Sequence, residues 1–197
     1  MRNPVKRLPL LLFFLCAALG ADDAPPGGAL PQTENPFDKL IFKAAVFGPS
    51  DEIFIWWGHA ALIIDDPDGS ARIFDWGIFS YPGDSFPKAF ALNQIRYKSG
   101  VSQARWDIEN YIKEDRDIIL YTLDIEAAQK EAVLRYAENN VQPENCWYIY
   151  HQFKDNCSTR IRNLVDIGTG GQFQKTYNAA AGRFTLREHM RRFSWYS

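Results

Sequence analysis

Cysteine and histidine are scarce in this chain, three of each among 197 residues. That is too few cysteines for a disulfide-built scaffold. The histidines are scattered rather than set at metal-ligand spacing, which argues against a zinc site. A basic excess is missing as well: 22 Lys and Arg stand against 24 Asp and Glu, for a net charge of −2. Nothing therefore favours nucleic-acid binding. The one long apolar run lies at the N-terminus, which excludes a polytopic membrane protein. Internal repeats are absent, and no glycine-rich loop opens a helix as a phosphate cradle would; GTGG at 168–171 closes one. Metal and cofactor are expected to be absent. What is present is the make-up of one globular domain, 46% hydrophobic and 23% charged. Aromatics reach 15%, with six Trp, enough for a packed core plus an apolar or sugar-like contact surface.

The first twenty residues stand apart. Arg2, Lys6 and Arg7 precede the apolar run Leu8–Leu15; small residues follow at Ala17, Ala18 and Gly20, then acids at Asp22 and Asp23. This is the order of a secretory signal, and the run is too short to span a bilayer. Cleavage after Gly20 or Ala21 is expected in preference to an uncleaved anchor. It is also preferred to lipidation at Cys16, because Leu15 stands where a small residue should precede the cysteine. Cleavage removes three basic residues and no acid, leaving a net charge of −5 and only two cysteines, Cys146 and Cys157. The chain is then extracytoplasmic, periplasmic or secreted, where thiols oxidise. A Cys146–Cys157 disulfide is the plain expectation that any thiol chemistry must displace.

Residues 21–35 are rich in Pro and Gly and read as a linker. Residues 36–197 read as one α+β domain. Apolar spacing predicts a helix over Phe37–Phe47. The segment Ile53–Asp65, the DPDG turn and Ala71–Phe79 predict a hairpin. Residues 80–105 look irregular. A short helix over Asp107–Glu114, a strand over Ile118–Ile125 and a helix capped by Asp124 and running through Asn139 follow. Trp147–Phe153 reads as a strand, and Ser158–Ile167 as a helix closed by Gly168. Thr185 and Glu188 form a capping box for a short basic helix.

Reactive side chains concentrate in WWGHAALIIDD, around His59, and KDNCSTRIRNLVD, around Cys157. Asp155 or Asn156 can cap a helix whose first turn holds Cys157. There the free N–H groups and the helix dipole stabilise a thiolate. Arg160 and Arg162 add positive potential, and the same N–H groups can hold an oxyanion. A hairpin turn centred on Pro67 sets His59 opposite Asp75 on one face, where the acid would orient the imidazole. Asp65, Asp66 and Asp68 read as solvated turn residues. Taken alone, His59 reads more often as a structural histidine than a catalytic one. Cys157 alone reads as half of a disulfide or as a small buried hydrophobe. His151 and His189 are further candidate bases, the first read as packing near the site and the second as exposed.

WGHAAL, FDWGIF and PENCWYIYHQFKDNCSTRIR resemble the family named for the N-terminal extracytoplasmic part of the lipoprotein N-acyltransferase Lnb. The resemblance runs from about Ile53 to Val165, and PEN followed by aromatics and DNCSTRIR is its most specific stretch. That family is similar to the permuted papain-like group containing NlpC/P60-type and lecithin:retinol acyltransferase-like proteins. The resemblance implies an antiparallel sheet packed against a helix bearing the nucleophile. It also implies Cys157 as that nucleophile, His59 as base and Asp75 as third member.

The expectation is an extracytoplasmic thiol acyltransferase or hydrolase. It would work through an acyl-thioester on lipoprotein or lipid acyl esters, its partner being an acyl-ester or peptide substrate at the membrane or cell wall. Two rivals stand beside it: a cell-wall amidase or peptidase of NlpC/P60 type, and a non-catalytic binding module whose two cysteines are cross-linked. In FTLREHMRRFSWYS, Leu186, Met190 and Phe193 share a helical face beside Arg187, Arg191 and Arg192. Such a segment could touch lipid headgroups peripherally, although a domain-closing helix is the plainer reading.

Overall fold

The hairpin expected from alternation around DPDG forms the middle of a six-stranded sheet in the computed structural model of the chain. The structure describes residues 35–52, 55–79, 85, 88, 89, 92, 94–178, 180 and 182–194. The expected signal over 1–20, nearly all of the linker, and Trp195 and Tyr196 lie outside them, as do the side chains of Met190, Arg192 and Phe193. Residues Glu34–Ser197 make one compact unit.

In chain order the elements begin with strands β1 (Ile41–Phe47), β2 (His59–Asp65), β3 (Ala71–Phe79) and β4 (Arg96–Gln103). Helix α1 (Ala104–Lys113), strand β5 (Ile118–Leu123), helix α2 (Ala127–Asn140) and strand β6 (Trp147–Ile149) follow. Helices α3 (Cys157–Gly168), α4 (Gln172–Tyr177) and α5 (Leu186–Ser194) close the described chain. The sheet order is β5-β1-β2-β3-β4-β6, and every neighbouring pair is antiparallel. The architecture is α+β.

Both faces of the sheet are covered. On one, Phe42, Leu62, Ile64, Phe74 and Trp76 pack against Val133 and Ala137 of α2 and Leu164 of α3. On the other, Ala45, Phe47, Ala61, Ile63 and Ile73 pack against Ala104 of α1, with Ile108 and Tyr111 beside it. A strand covered on both sides loses its polar alternation and reads as a continuous apolar run. This explains the helix expected over Phe37–Phe47, which the structure corrects to strand β1, held between β2 and β5. Its Phe42 serves one core and its Ala45 and Phe47 the other, a pattern that imitates helical spacing.

The irregular stretch expected over 80–105 is also corrected, because β4 occupies Arg96–Gln103. Its buried row consists of Tyr97 and Ser99, and Gly100 leaves space that the Ile78 side chain fills. Small and polar residues thus carry an alternation that hydrophobicity does not show. Smaller corrections concern ends. Helix α2 starts after Glu126 rather than at a cap on Asp124. Strand β6 stops at Ile149. Helix α3 includes Gly168 and is capped by Thr169. The Thr185–Glu188 capping box does form: the Thr185 N–H donates to Glu188 Oε2 at 2.7 Å, and the Glu188 N–H to Thr185 Oγ1 at 3.3 Å.

Candidate active site

Glycine places the histidine. Gly58 has φ +71°, and a Cβ there would lie 2.4 Å from the Phe47 carbonyl oxygen. Only glycine lets the chain turn so tightly into β2, whose first residue is His59. The imidazole lies 6.1 Å from the Phe47 ring, which is itself stacked on Tyr111 at 3.8 Å. The side chain is 12% exposed.

The acid comes from β3, in a register two residues away from the expected one. Leu62 pairs with Phe74 and Ile63 with Ile73, so His59 faces Gly77 and not Asp75. Side chains alternate with period two, so a two-residue shift keeps Asp75 on the His59 face as a diagonal neighbour. The two still meet, with His59 Nε2 donating to Asp75 Oδ1 at 3.0 Å. Asp75 Oδ1 also accepts the Gly77 N–H. Gly77 cannot be larger: a Cβ there would sit 2.5 Å from His59 Cε1 and 3.1 Å from both His59 Nδ1 and Asp75 Oδ1. The expected hairpin register assigned this glycine no part, yet it sets the clearance for the pair.

The cysteine comes from α3. Asn156, with φ −152° and ψ 179°, is the N-cap of that helix. Its side chain accepts the Thr159 N–H at 2.9 Å, while Thr159 Oγ1 accepts the Asn156 N–H at 2.8 Å. This reciprocal cap makes Cys157 the first residue of the helix, among N–H groups with no partner inside it. Leu164, 1% exposed, anchors the helix in the core beneath β2 and β3. The Cys157 thiol lies beside the His59 side chain and the Ala60 backbone N–H, both of which favour its thiolate. With Nε2 committed to Asp75, Nδ1 is left to serve the sulfur.

Charge follows geometry. Burial pushes the Cys157 thiol up, but the His59 hydrogen bond and charge, the Ala60 N–H and Ser158 together hold it below the usual 9.0. Burial likewise opposes a charged imidazole, yet Asp75 first and Cys157 second outweigh it, and the His59 pKa rises to about 10. Asp75 resists burial through the same partner and stays below the usual carboxylate range. The signs of the three shifts all favour the charged forms: thiolate on Cys157, imidazolium on His59 and carboxylate on Asp75.

Three tyrosines from β4 and the β6 region stand near the sulfur. Tyr97 and Tyr150 stack at 4.3 Å, and Tyr148 lies 6.2 Å from Tyr97. Burial and then the charge on Cys157 push all three phenols up, Tyr97 to about 12, so they remain neutral O–H donors. Sequence reasoning assigned none of them to the site. The only signal was the alternation of Tyr148 and Tyr150 ahead of the cysteine.

Other candidates fall elsewhere. Both cysteines are free thiols; Cys146 is 2% exposed and donates to the Pro143 carbonyl at 3.5 Å. His151 Nδ1 accepts the N–H groups of Phe153 and Lys154 at 3.2 and 3.3 Å, so this histidine builds the turn before the cysteine. His189 is exposed and packs edge-on against Phe184. Arg160 pairs with Asp155 and Arg162 with Asn163, and the groups that most lower the Cys157 pKa are His59, Ala60 and Ser158. The turn acids are engaged too, Asp65 by Lys43, Asp66 by Arg72 and Asp68 by Ser70. Among the described residues no cluster of His, Cys, Asp and Glu could hold a metal ion, and no helix is long and apolar enough to cross a membrane.

The family model described as the Lnb N-terminal periplasmic domain covers residues 37–192. No curated protein and no solved structure matches the chain.

Proposed function

The chain belongs to the Lnb N-terminal periplasmic domain family, and from that premise we propose that it is an extracytoplasmic thiol enzyme, an acyltransferase or hydrolase. The observation that carries this reading is the His59 imidazole, bonded to Asp75 at 3.0 Å and set beside the Cys157 thiol, each of which favours its charged form. A structural histidine has no need of a buried thiol and an acid at once. A free Cys157 at a helix start is also what nucleophilic catalysis requires. The order of histidine strand before cysteine helix, with the antiparallel sheet against that helix, supports a permuted papain-like arrangement.

The chemistry runs in two steps. The Cys157 thiolate attacks the carbonyl carbon of an ester or amide, and the Cys157 N–H at the start of α3 donates to the developing oxyanion. The tetrahedral intermediate expels the alcohol or amine, which takes the proton held on His59, and leaves a thioester on Cys157. An amine or a water then attacks the thioester, giving its proton to His59 as the sulfur departs. Asp75 keeps the ring aimed and stabilises its positive charge throughout. A lipid acyl ester is the favoured donor and the same residues can open a peptide amide; a secretory signal at residues 1–20 would deliver the domain to either.

The test is to incubate the protein with acyl-ester and peptide substrates and to look for acylated Cys157 by peptide mass. A trapped acyl-thioester that is absent in Cys157→Ala is the expected result. Full turnover by Cys157→Ala would refute the proposal, and release of cell-wall peptides without acyl transfer would move it to the amidase class.

A further inference from the structure

We propose that Arg160 is a positioning residue, bracing the loop that delivers Cys157 against the strand that delivers Asp75. The arginine sits in the first turn of α3. Its Nε and Nη2 donate to the two Asp155 carboxylate oxygens at 2.7 and 2.9 Å, a fork holding the residue two places before the cysteine. Its third nitrogen, Nη1, donates to Asn140 Oδ1 at the end of α2 at 2.5 Å. That oxygen also accepts the indole N–H of Trp76 at 3.2 Å. Asn140 cannot turn its amide away, because its Nδ2 donates to the Tyr136 carbonyl at 2.8 Å.

Trp76 is the residue between Asp75 and Gly77, and it is fully buried. Its carbonyl accepts the Tyr148 hydroxyl, and the Tyr148 ring lies 4.9 Å from the Arg160 guanidinium carbon. One planar side chain therefore touches the cysteine loop, α2 and β6, and holds the acid strand through Asn140 and Tyr148. The geometry demands a guanidinium. A lysine supplies a point charge that cannot bridge Asp155 and Asn140 while lying flat on a ring.

An arginine beside a nucleophilic cysteine ordinarily reads as an electrostatic activator. Here Asp155 answers its charge and its side chain is 20% exposed, while the largest stabilising effects on the thiolate come from His59, Ala60 and Ser158. Its influence on Cys157 is mechanical. The thiol meets His59 only while the loop 151–156 and the strand around Trp76 keep their separation. The His151–Asp155 backbone bridge, 2.8 Å from N to O, fixes the shape of the loop but ties it to nothing else.

This inference rests on Cys157–His59 being the reactive pair, and one experiment separates the two claims. The full chain, Arg160→Lys and Asp155→Asn are alkylated with iodoacetamide across a pH series, with the labelled peptide assigned by mass. Circular dichroism monitors the fold. Arg160→Lys is expected to move the Cys157 profile toward that of an ordinary thiol, slowing neutral-pH alkylation about tenfold per unit moved. Asp155→Asn, which keeps its shape and one acceptor, should move it in the same direction by less. Wild-type profiles in both variants, whatever happens to their melting temperatures, would overturn the brace. If Arg160→Lys fails to fold, Asp155→Asn decides alone. An ordinary thiol profile in the unmodified protein would overturn the reactive pair itself, and the brace with it.

Discussion

Replacing Gly77 with alanine adds one methyl group at the most confined point of the site. The new Cβ would lie 2.5 Å from His59 Cε1 and 3.1 Å from His59 Nδ1 and Asp75 Oδ1. Relaxed carbon contacts need about 3.5–4.0 Å, so the ring must retreat by roughly 1 Å. It cannot do so freely, with Phe47 along one side, Asp75 on Nε2 and the thiol beyond. Overpacking of this kind costs about 1–3 kcal/mol of stability. A reacting group misplaced by that distance costs on the order of a hundredfold in rate, about 3 kcal/mol of barrier. No positive φ is involved at Gly77, so the substitution tests space alone. The assay is Cys157 alkylation at neutral pH and acyl-thioester formation, beside a thermal melt. Glycine at this position in the wild type should outperform alanine in both reactivities by more than the melt explains. A Gly77→Ala protein with unchanged alkylation and thioester formation would refute the placement of His59 and Asp75.

Three further outcomes follow from the same geometry. Asp75→Asn keeps the shape but removes the carboxylate charge beside the imidazole; the His59 pKa should fall by about one to three units, read by NMR of the ring, and the alkaline limit of activity should fall with it. Stability should follow the signs of the shifts. The raised His59 pKa contributes fully below 6.5 and is lost as pH climbs through about 10, while the lowered Asp75 pKa contributes above 3.8 and is lost in acid. The contribution of this pair should therefore be greatest between pH 3.8 and 6.5, and His59→Ala should lose most stability there in denaturant titrations. Asn156→Ala removes the capping box, with an expected loss of about 1 kcal/mol in denaturant unfolding and slower alkylation of Cys157.

Legibility followed what each residue reports about its surroundings. His59, Asp75 and Cys157 could be singled out because local pattern reveals a strand start, a hairpin and a helix cap, and the structure brings the three together. The hairpin register was off by two, yet the face was right, since pleat parity survives an even shift. β1 was hidden because burial on both sides erases alternation. β4 was hidden because Tyr97, Ser99 and Gly100 carry its inner row and clearance. Gly77 and Arg160 were visible as letters, but their work depends on distances that no local window contains. The expected cross-link between the cysteines fails on the same ground: Cys146 turns to the Pro143 carbonyl, while Cys157 turns to the imidazole.

The most direct test of the central claim is the titration of the Cys157 thiolate by its ultraviolet absorbance, in the unmodified protein and in His59→Ala. Ionisation below the usual 9.0, lost in the variant, is the predicted result. Coincident curves at or above that value would contradict it, because the sulfur would then owe nothing to the histidine.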